Sequence, residues 1–329
     1  MAAKAGYHLR EDGCFRRFSP ASVKKASVRN KRLNYAQDGL PVLEDERAYS
    51  AYDVLKIMMR LFAEDERLYT IDSDLSNASG LFEGTSATNQ PHALNVGIAE
   101  CNMMCIAEAL AAEGANVWCS TFTPFMNLQA FRRICVSYQE REEAMDGNGW
   151  LNEGHNLDIT FVGTAANLDT GVNGATHMGN DDICLYGQLA HLKVIDISCP
   201  RQLVAVSRWI AEGNHGLVYL RTMRNASKPI YPEGFCFEYA KGYELLKPDK
   251  PEAYIISSGH AVLEALSAAR QLAENGLPVG VIDMPSFDGA LLCRLAMGEM
   301  PLMFVEHNNG ALFDAFARHA LQRSIAIQP

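Results

Sequence analysis

The sequence predicts an α/β protein with two doubly wound, mainly parallel sheets that are covered by helices on both faces. Short runs rich in Val, Ile and Leu alternate with longer stretches that have helical spacing of apolar residues. This alternation is typical of parallel strands joined by crossover helices. A break with two prolines and a glycine, SKPIYPEG at 227–234, separates a longer set of such runs from a shorter one.

The longer set forms the first predicted domain. Its strands are expected at 117–120, 157–163, 193–198, 217–221 and at the start of 67–74, and its helices at 47–63, 95–113, 124–138 and from Pro200 onward. The stretch 95–113 is rich in Ala and Met and apolar nearly all round, which favours a helix that is largely buried.

The shorter set forms a second α/β unit. Its strands are expected at 253–259, 278–284 and 302–306, and its helices at 260–275, 288–296 and 311–323. We therefore divide the chain of 329 residues into a basic N-terminal extension (1–45), a first domain (46–230) and a second domain (231–329).

Composition and charge exclude several classes of protein. The net charge of −10 makes nucleic acid an improbable partner. No apolar run approaches the roughly 18 residues of a membrane-spanning helix. The first residues lack the apolar core of a signal peptide, so we expect a cytoplasmic protein. The nine cysteines are scattered without a CxxC pair, which predicts reduced, mostly buried thiols.

The N-terminal arm has the opposite charge to the rest of the chain. Residues 1–32 carry nine Lys and Arg against Glu11 and Asp12, with few long apolar residues. The arm is therefore expected to be a solvated extension, or to lie across an acidic partner subunit or the other half of a dimer. An RNA-binding arm is disfavoured, because aromatic residues do not alternate with the charges.

Candidate ligand-binding residues follow the predicted strands. Ligands of doubly wound sheets bind beyond the carboxyl ends of the strands. Three polar, glycine-containing segments lie there, at 72–80, 95–100 and 163–182. The sequence has no GxGxxG after a strand, no GxxxxGK[ST] and no HExxH, so dinucleotide, P-loop and metalloprotease sites are not indicated.

Three motifs, taken in order, resemble the C-terminal half of transketolase. They are NVGIAECN at 95–102, STFTPF at 120–125 and TGVNGATH at 170–177. The second unit is similar to the family's C-terminal domain, through 256–284 and FVEHNNG at 304–310. The resemblance covers roughly 46–325 and implies a pyrimidine-binding domain of a thiamine-diphosphate enzyme followed by the smaller C-terminal domain.

The resemblance implies a cofactor site. Glu100 matches the glutamate that hydrogen-bonds N1′ of the aminopyrimidine ring, a role for which a desolvated position is favourable. Phe122 and Phe125 match the aromatic residues against which that ring stacks. Asp74 matches a carboxylate beside the cofactor. Without the resemblance, the glutamate would be a favourable helix-dipole contact and both aromatics plain core residues.

The resemblance also implies a substrate site. His177 matches a histidine that lines the substrate channel and helps to transfer protons to the sugar oxygens. Arg224 matches an arginine that binds the substrate phosphate, and Arg47 is a candidate second phosphate ligand. Asn173 stands where the family usually has an aspartate that recognises the sugar hydroxyl next to the carbonyl.

Other positions also depart from the family. Ala165 replaces a histidine that helps to hold the donor phosphate, and Cys119 replaces one aromatic of the stacking platform. Ala93 and Leu94 replace the aromatic pair before the GIAE motif. These departures put ordinary sugar-phosphate specificity in doubt and leave the cofactor chemistry plausible, so we expect an unusual sugar or a 2-keto acid as donor.

The diphosphate half of the cofactor site is expected on another chain. In the family a GDG…N motif holds the diphosphate through Mg²⁺ or Ca²⁺. No such motif precedes residue 46, and MDGNG at 145–149 is a partial match in the wrong domain. We therefore expect a larger partner subunit that carries the metal and the diphosphate domain, in an α2β2 heterotetramer with the active site at the subunit interface.

These observations predict the smaller subunit of a two-component, thiamine-diphosphate-dependent transketolase-like transferase. The reaction would move a two-carbon ketol or acyl unit to an aldehyde acceptor, with the hard chemistry carried by the cofactor. One alternative is the β subunit of a 2-oxo acid dehydrogenase-type E1, although GIAE and GATH favour transketolase. An alternative of another class is a catalytically silent scaffold or regulatory subunit.

Overall fold

A computed structural model confirms the predicted fold class of two helix-covered sheets. It describes residues 7–9, 15–17, 30–126, 130–135, 157–169, 173–189, 192–214 and 216–325. Within these residues the chain forms a six-stranded sheet, a four-stranded sheet and one separate hairpin. The hairpin pairs β1 (Tyr7–Leu9) with β2 (Phe15–Arg17) in the N-terminal arm.

The six-stranded sheet is parallel throughout. Its order is β4-β3-β5-β6-β8-β7. The strands are β3 (Leu68–Asp72), β4 (Ala93–Asn95), β5 (Asn116–Phe122), β6 (Asp158–Thr164), β7 (Lys193–Asp196) and β8 (Leu217–Arg221). All seven residues of β5 are buried, because helices cover both faces of the sheet.

Helices on the two faces of this sheet enclose separate hydrophobic cores. The helices are α1 (Ala51–Phe62), α2 (Leu81–Ser86), α3 (Glu100–Ala112), α4 (Asp182–Tyr186) and α5 (Pro200–Ala211), with helical turns at Ser76–Ser79, Thr123–Phe125, Gln37–Gly39, Gln90–His92 and Ala175–His177. Helix α1 begins with a capping box, in which the Ser50 hydroxyl and the Asp53 carboxylate each accept the other's backbone N–H.

The four-stranded sheet is mixed, with the order β12-β10-β11-β9. Its strands are β9 (Tyr243–Leu246), β10 (Ala253–Ser257), β11 (Val279–Asp283) and β12 (Leu302–Val305), and its helices are α6 (Ala261–Glu274), α7 (Gly289–Met297) and α8 (Ala311–Gln322). The three predicted strands are parallel to one another, and β9 is an antiparallel edge strand that the sequence reasoning did not predict.

Helix α3 begins five residues later than predicted. Residues 93–95 form the short strand β4, and Gly97 then turns the chain at φ +73°, a conformation that favours glycine. Glu100 is therefore the first residue of the helix rather than a residue inside it. Of the predicted helix at 124–138, positions 127–129 and 136–138 lie outside the described residues.

Part of the predicted basic extension packs onto the first sheet. Leu33 and Leu43 are 2% and 6% exposed and belong to the core under α1. The Tyr35 ring contacts Phe62 edge-on at 4.8 Å between ring centroids. Residues 30–45 thus contribute to the first core, while the domain limits at 45 and 230 stay predictions.

Buried polar groups join the two sheets. The Arg221 guanidinium is fully buried between Asp182, at 2.6 Å, and Asp196, at 2.7 Å. Asp196 also accepts a hydrogen bond of 3.0 Å from the Ser258 hydroxyl of the second unit. The ion network therefore continues from the first sheet into the loop after β10.

The length of the helices and the exposure of the cysteines bear on two further expectations. None of the described helices is long and apolar enough to cross a bilayer. The expectation of mostly buried thiols is wrong for the described residues, since Cys101, Cys105, Cys184 and Cys236 are exposed. Two of these cysteines lie on the outer face of α3, which the sequence suggested would be buried nearly all round.

Candidate active site

One edge of the six-stranded sheet gathers most of the predicted site residues. Asp74 follows β3, Glu100 follows β4, Phe122 ends β5, His177 follows β6 and Arg224 follows β8. Because all six strands are parallel, these carboxyl ends meet at the same edge. The fold therefore places residues that are up to 150 positions apart in one row.

Glu100 is a buried carboxylate at the first position of α3, with 6% of the residue exposed. The hydroxyl of Thr121 donates a hydrogen bond of 3.2 Å to its Oε1 atom. A helix N-terminus favours a carboxylate, which accounts for a buried acid at this position. Thr121 directly precedes Phe122 in β5, so the carboxylate of Glu100 is tied to the strand whose last residue is the first predicted aromatic.

Asp74 lies in the neighbouring loop and is exposed, with φ +58°. Its backbone N–H donates to the Asn95 side chain at 3.3 Å. The Ser73 hydroxyl donates to the Gly97 carbonyl at 2.9 Å and accepts from the Ala99 N–H at 3.0 Å. These hydrogen bonds fasten the loop of Asp74 to the loop that leads into helix α3.

Three aromatic rings form the centre of the edge. The centroids of Phe122 and Phe125 are 6.0 Å apart, and the rings are inclined at 47°. The His177 ring meets both of them edge-on, at 5.5 Å from Phe122 and 5.3 Å from Phe125. The imidazole Nδ1 is 2.8 Å from the Thr176 hydroxyl. The ring orientation of His177 is thus set by packing and by one polar contact.

Arg224 places its guanidinium over the same aromatic group. Its Cζ atom lies 5.8 Å from the centroid of the Phe122 ring, and one of its nitrogens donates to the side-chain oxygen of Asn173. The loop is held by Asp169, whose Oδ2 accepts the backbone N–H groups of Arg224 at 2.5 Å and Asn225 at 2.8 Å. The guanidinium itself remains exposed and available to an anion.

Arg47 is the predicted site residue that the described contacts do not link to this group. It is exposed, and its guanidinium lies 4.9 Å from the centroid of the Tyr49 ring. Its assignment as a phosphate ligand stays a prediction. Ala165, where the family has a histidine, is 1% exposed with φ +54°.

Two residues near Arg224 were missed by the sequence reasoning, Asp169 and His260. Asp169 is 5% exposed and holds the Arg224 loop. Nδ1 of His260 lies 3.5 Å from the Asp169 carboxylate. His260 directly follows the SSG segment at the carboxyl end of β10. The rule that ligands bind at strand ends, applied to the second sheet, would have selected it.

A separate cleft of about 460 Å³ lies between the two sheets, lined among others by Cys184, Asn308 and Arg318. It includes none of the predicted site residues. The strand-end group carries the carboxylate, imidazole and guanidinium needed for chemistry, so we place the candidate active site there and not in this cleft. Among the described residues, no three His, Cys, Asp or Glu side chains are grouped so that they could hold a metal ion.

The chemistry of the strand-end group suits a flat heterocycle and a polar substrate. A buried carboxylate at the same sheet edge as two aromatic rings can hydrogen-bond a nitrogen of a flat heterocycle whose face rests on Phe122 or Phe125. Asn173, His177 and Arg224 offer an amide, an imidazole and a cation for hydroxyl and anionic groups.

Comparison with known families matches both units. Residues 54–229 match the pyrimidine-binding domain of transketolase, and residues 242–312 match the transketolase C-terminal domain. A transketolase C-terminal section of Methanocaldococcus jannaschii is 31% identical, with 69% of this chain and 67% of the relative covered. A 6-deoxy-6-sulfo-D-fructose transketolase subunit of a Clostridium species is 29% identical, with 73% and 70% covered.

Solved structures agree with these matches. A structure described as a split-gene transketolase, inactive beta4 tetramer, has a TM-score of 0.64 at 25% identity, with 83% of each chain covered. Transketolase from Leishmania mexicana has a TM-score of 0.66 at 19% identity, with 82% of this chain but 40% of that chain covered. At that identity the second likeness concerns the fold alone.

Proposed function

The chain belongs to the transketolase family, and on that premise we propose that it is the smaller, C-terminal subunit of a two-component enzyme that depends on thiamine diphosphate. The enzyme transfers a two-carbon ketol or acyl unit from a donor to an aldehyde acceptor. The observation that carries this proposal is the buried Glu100 carboxylate, hydrogen-bonded to Thr121 of β5, at the same sheet edge as Phe122, the last residue of that strand.

The residues of this edge fit the pyrimidine half of the cofactor. Glu100 has a buried carboxyl group, and we assign to it the hydrogen bond to the N1′ atom of the ring. Phe122 and Phe125 offer apolar faces of the size of the ring, and Asp74 lies in the adjoining loop. When bound, the cofactor supplies the nucleophilic carbon that accepts the two-carbon unit.

His177 and Asn173 are the proposed groups for the sugar oxygens. His177 is half-buried, and its contacts with the two phenylalanines hold the ring in the row of site residues. It can hold or move a proton at a hydroxyl of the donor. Asn173 offers a neutral amide where a carboxylate is usual in the family. This change favours a donor whose hydroxyl pattern differs from that of common sugar phosphates.

We propose that Arg224 binds an anionic end of the substrate, either a phosphate or a sulfonate. The exposed guanidinium, held in place by Asn173 and the aromatic ring, supports this assignment. One relative is named a 6-deoxy-6-sulfo-D-fructose transketolase subunit, so donor screening includes a sulfonated sugar.

The diphosphate and its Mg²⁺ or Ca²⁺ are proposed to bind to a larger partner subunit, in an α2β2 complex. The names of the relatives, a subunit, a C-terminal section and a split-gene protein, support a division of the enzyme between two chains. The partner is expected to carry the GDG…N motif.

Calorimetry tests the proposal. Thiamine diphosphate and Mg²⁺ are titrated into this chain alone and into its complex with a partner that contains GDG…N. We expect binding to the complex only. Turnover is then screened with ketose phosphates, a sulfonated ketose and 2-oxo acids, and preferential use of 2-oxo acids would favour the E1-type alternative.

Glu100→Gln is the decisive variant. It should lower turnover by roughly a hundredfold or more, because general acid–base groups contribute about that much. Glu113→Gln removes an exposed carboxylate at the other end of the same helix and is the matched control. Unchanged turnover in Glu100→Gln would refute the catalytic assignment. Absence of cofactor binding to an established complex would favour the scaffold alternative.

A further inference from the structure

One histidine of the second unit, His260, lies close to the loop that holds Arg224 of the proposed substrate site. His260 lies between β10 and α6, and its Nδ1 atom is 3.5 Å from Oδ1 of Asp169, which lies in the loop after β6 of the first sheet. The Asp169 side chain is 1% exposed, whereas that of His260 is 27% exposed. One edge of the imidazole therefore faces a buried carboxylate while part of the ring stays accessible to solvent.

The same carboxylate holds the loop of Arg224. Oδ2 of Asp169 accepts the backbone N–H groups of Arg224 and Asn225, and Oδ1 also accepts from the Asn225 side chain. Asp169 is thus shared between the proposed anion-binding arginine and His260. The backbone of the Arg224 loop and the His260 imidazole therefore meet at one carboxylate.

A second anchor fixes the backbone beside His260. The Ser258 hydroxyl donates to Asp196, and a Cβ atom at Gly259 would lie 2.6 Å from the Asp196 carboxylate, so only glycine fits there. Asp196 in turn pairs with Arg221, three residues before Arg224. The loop of His260 and the loop of Arg224 are therefore fastened to each other at two points.

We infer that His260 is a second binding group for the anionic end of the substrate, next to Arg224. The inference rests on the proposed function, because it concerns the same site. With Nδ1 directed at Asp169, the opposite nitrogen, Nε2, points away from that carboxylate and can donate to a phosphate or sulfonate oxygen.

Donors with and without an anionic end test the inference in the reconstituted complex. Fructose 6-phosphate is compared with erythrulose, an uncharged ketose, with glycolaldehyde as acceptor for both. We expect His260→Gln to raise the KM for the phosphorylated donor roughly tenfold, as for loss of a charge-assisted hydrogen bond. The kcat and the KM for erythrulose should stay unchanged. His260→Arg provides a cationic N–H donor at the same position and should recover most of the lost affinity.

His307→Gln is the matched control. His307 also pairs with a carboxylate, that of Glu264 at 3.0 Å, and belongs to the same sheet unit. It should change neither KM. A purely structural role of His260 would alter the kinetics with both donors to the same extent, and that result would overturn the inference.

A binding measurement separates this inference from the proposed function. Methanesulfonate is titrated into the full chain while the histidine ring resonances are followed by NMR. A saturable shift that is missing in His260→Gln supports the inference even if the complex has no transketolase activity. A wild-type complex that turns over ketoses but shows no such shift, and no difference between donors in His260→Gln, would refute the inference alone.

Discussion

Asp283 is a fully buried carboxylate between the two sheets, and its titration should make the stability of the chain depend on pH. Its Oδ2 atom accepts hydrogen bonds from Ser198 at 2.5 Å, Tyr231 at 2.6 Å and Gln202 at 2.9 Å. Its Oδ1 atom is buried without a partner among the described residues. Burial raises the pKa of Asp283 to about 7, although these three hydrogen bonds oppose the rise.

The direction of the pH effect follows from that raised pKa. An unfolded aspartate has a pKa of about 4, so between about pH 4 and pH 7 the folded chain retains a proton that the unfolded chain has lost. The stability from this group is fully present below about pH 4, decreases as the pH rises and is lost above about pH 7. Each pH unit in that window costs about 1.4 kcal/mol.

Asp283→Asn removes the titration and nearly preserves the shape of the side chain. The amide oxygen can accept the three hydrogen bonds, while the amide N–H₂ is left without an acceptor, a cost that does not vary with pH. The stability of the variant relative to the wild type should therefore rise by about 3 kcal/mol between about pH 5 and pH 7 and then level off.

Urea denaturation at several pH values, followed by tryptophan fluorescence and circular dichroism, measures this difference. Asp249→Asn, at an exposed position before β10, controls for the loss of a surface charge. Parallel pH profiles for Asp283→Asn and the wild type would refute the reasoning. They would mean that the carboxylate keeps its charge in the interface.

Three further substitutions test the packing that supports the site. Arg221→Met leaves the carboxylates of Asp182 and Asp196 buried without their ion partner and should lower the free energy of unfolding by about 3–5 kcal/mol; a near-wild-type urea midpoint would contradict this. Leu33→Ala should cost about 2–5 kcal/mol if residues 30–45 belong to the core, and a loss below about 0.5 kcal/mol would contradict it. At Gly80, with φ +75°, a Cβ atom would lie 2.5 Å from a backbone oxygen of α1; Gly80→Ala should therefore lower the melting temperature by several degrees, and an unchanged value would disprove the clash.

The parts of the fold that could be predicted from sequence have strong local signals. The run LVYLR is strand β8 with the predicted limits, because continuous β-branched and apolar residues suit a strand buried on both faces. The short elements could not be predicted. Strand β4 has three residues, and its pairing with β3 depends on the rest of the sheet. The same holds for β9, whose partner β11 lies more than thirty positions away.

The residues of the candidate site also fall into those that the sequence could predict and those that it could not. Residues at strand ends, such as Glu100 and Arg224, could be located from the parallel-sheet rule and the motifs. The strand-end rule would also have selected His260, but not its pairing with Asp169, since that pairing depends on how the second sheet docks on the first. No pattern within either segment encodes that docking.

Polar contacts between the two sheets position a loop of the second sheet next to the candidate site of the first. Asp196 pairs with Arg221 and accepts a hydrogen bond from Ser258. Asp169 accepts a hydrogen bond from the Arg224 backbone and lies close to His260. An apolar interface could hold the sheets together at lower desolvation cost, because buried ion pairs rarely add net stability. Directional bonds, unlike apolar contacts, fix the relative position of two loops. We therefore expect the buried charges here to align residues from both sheets at one edge.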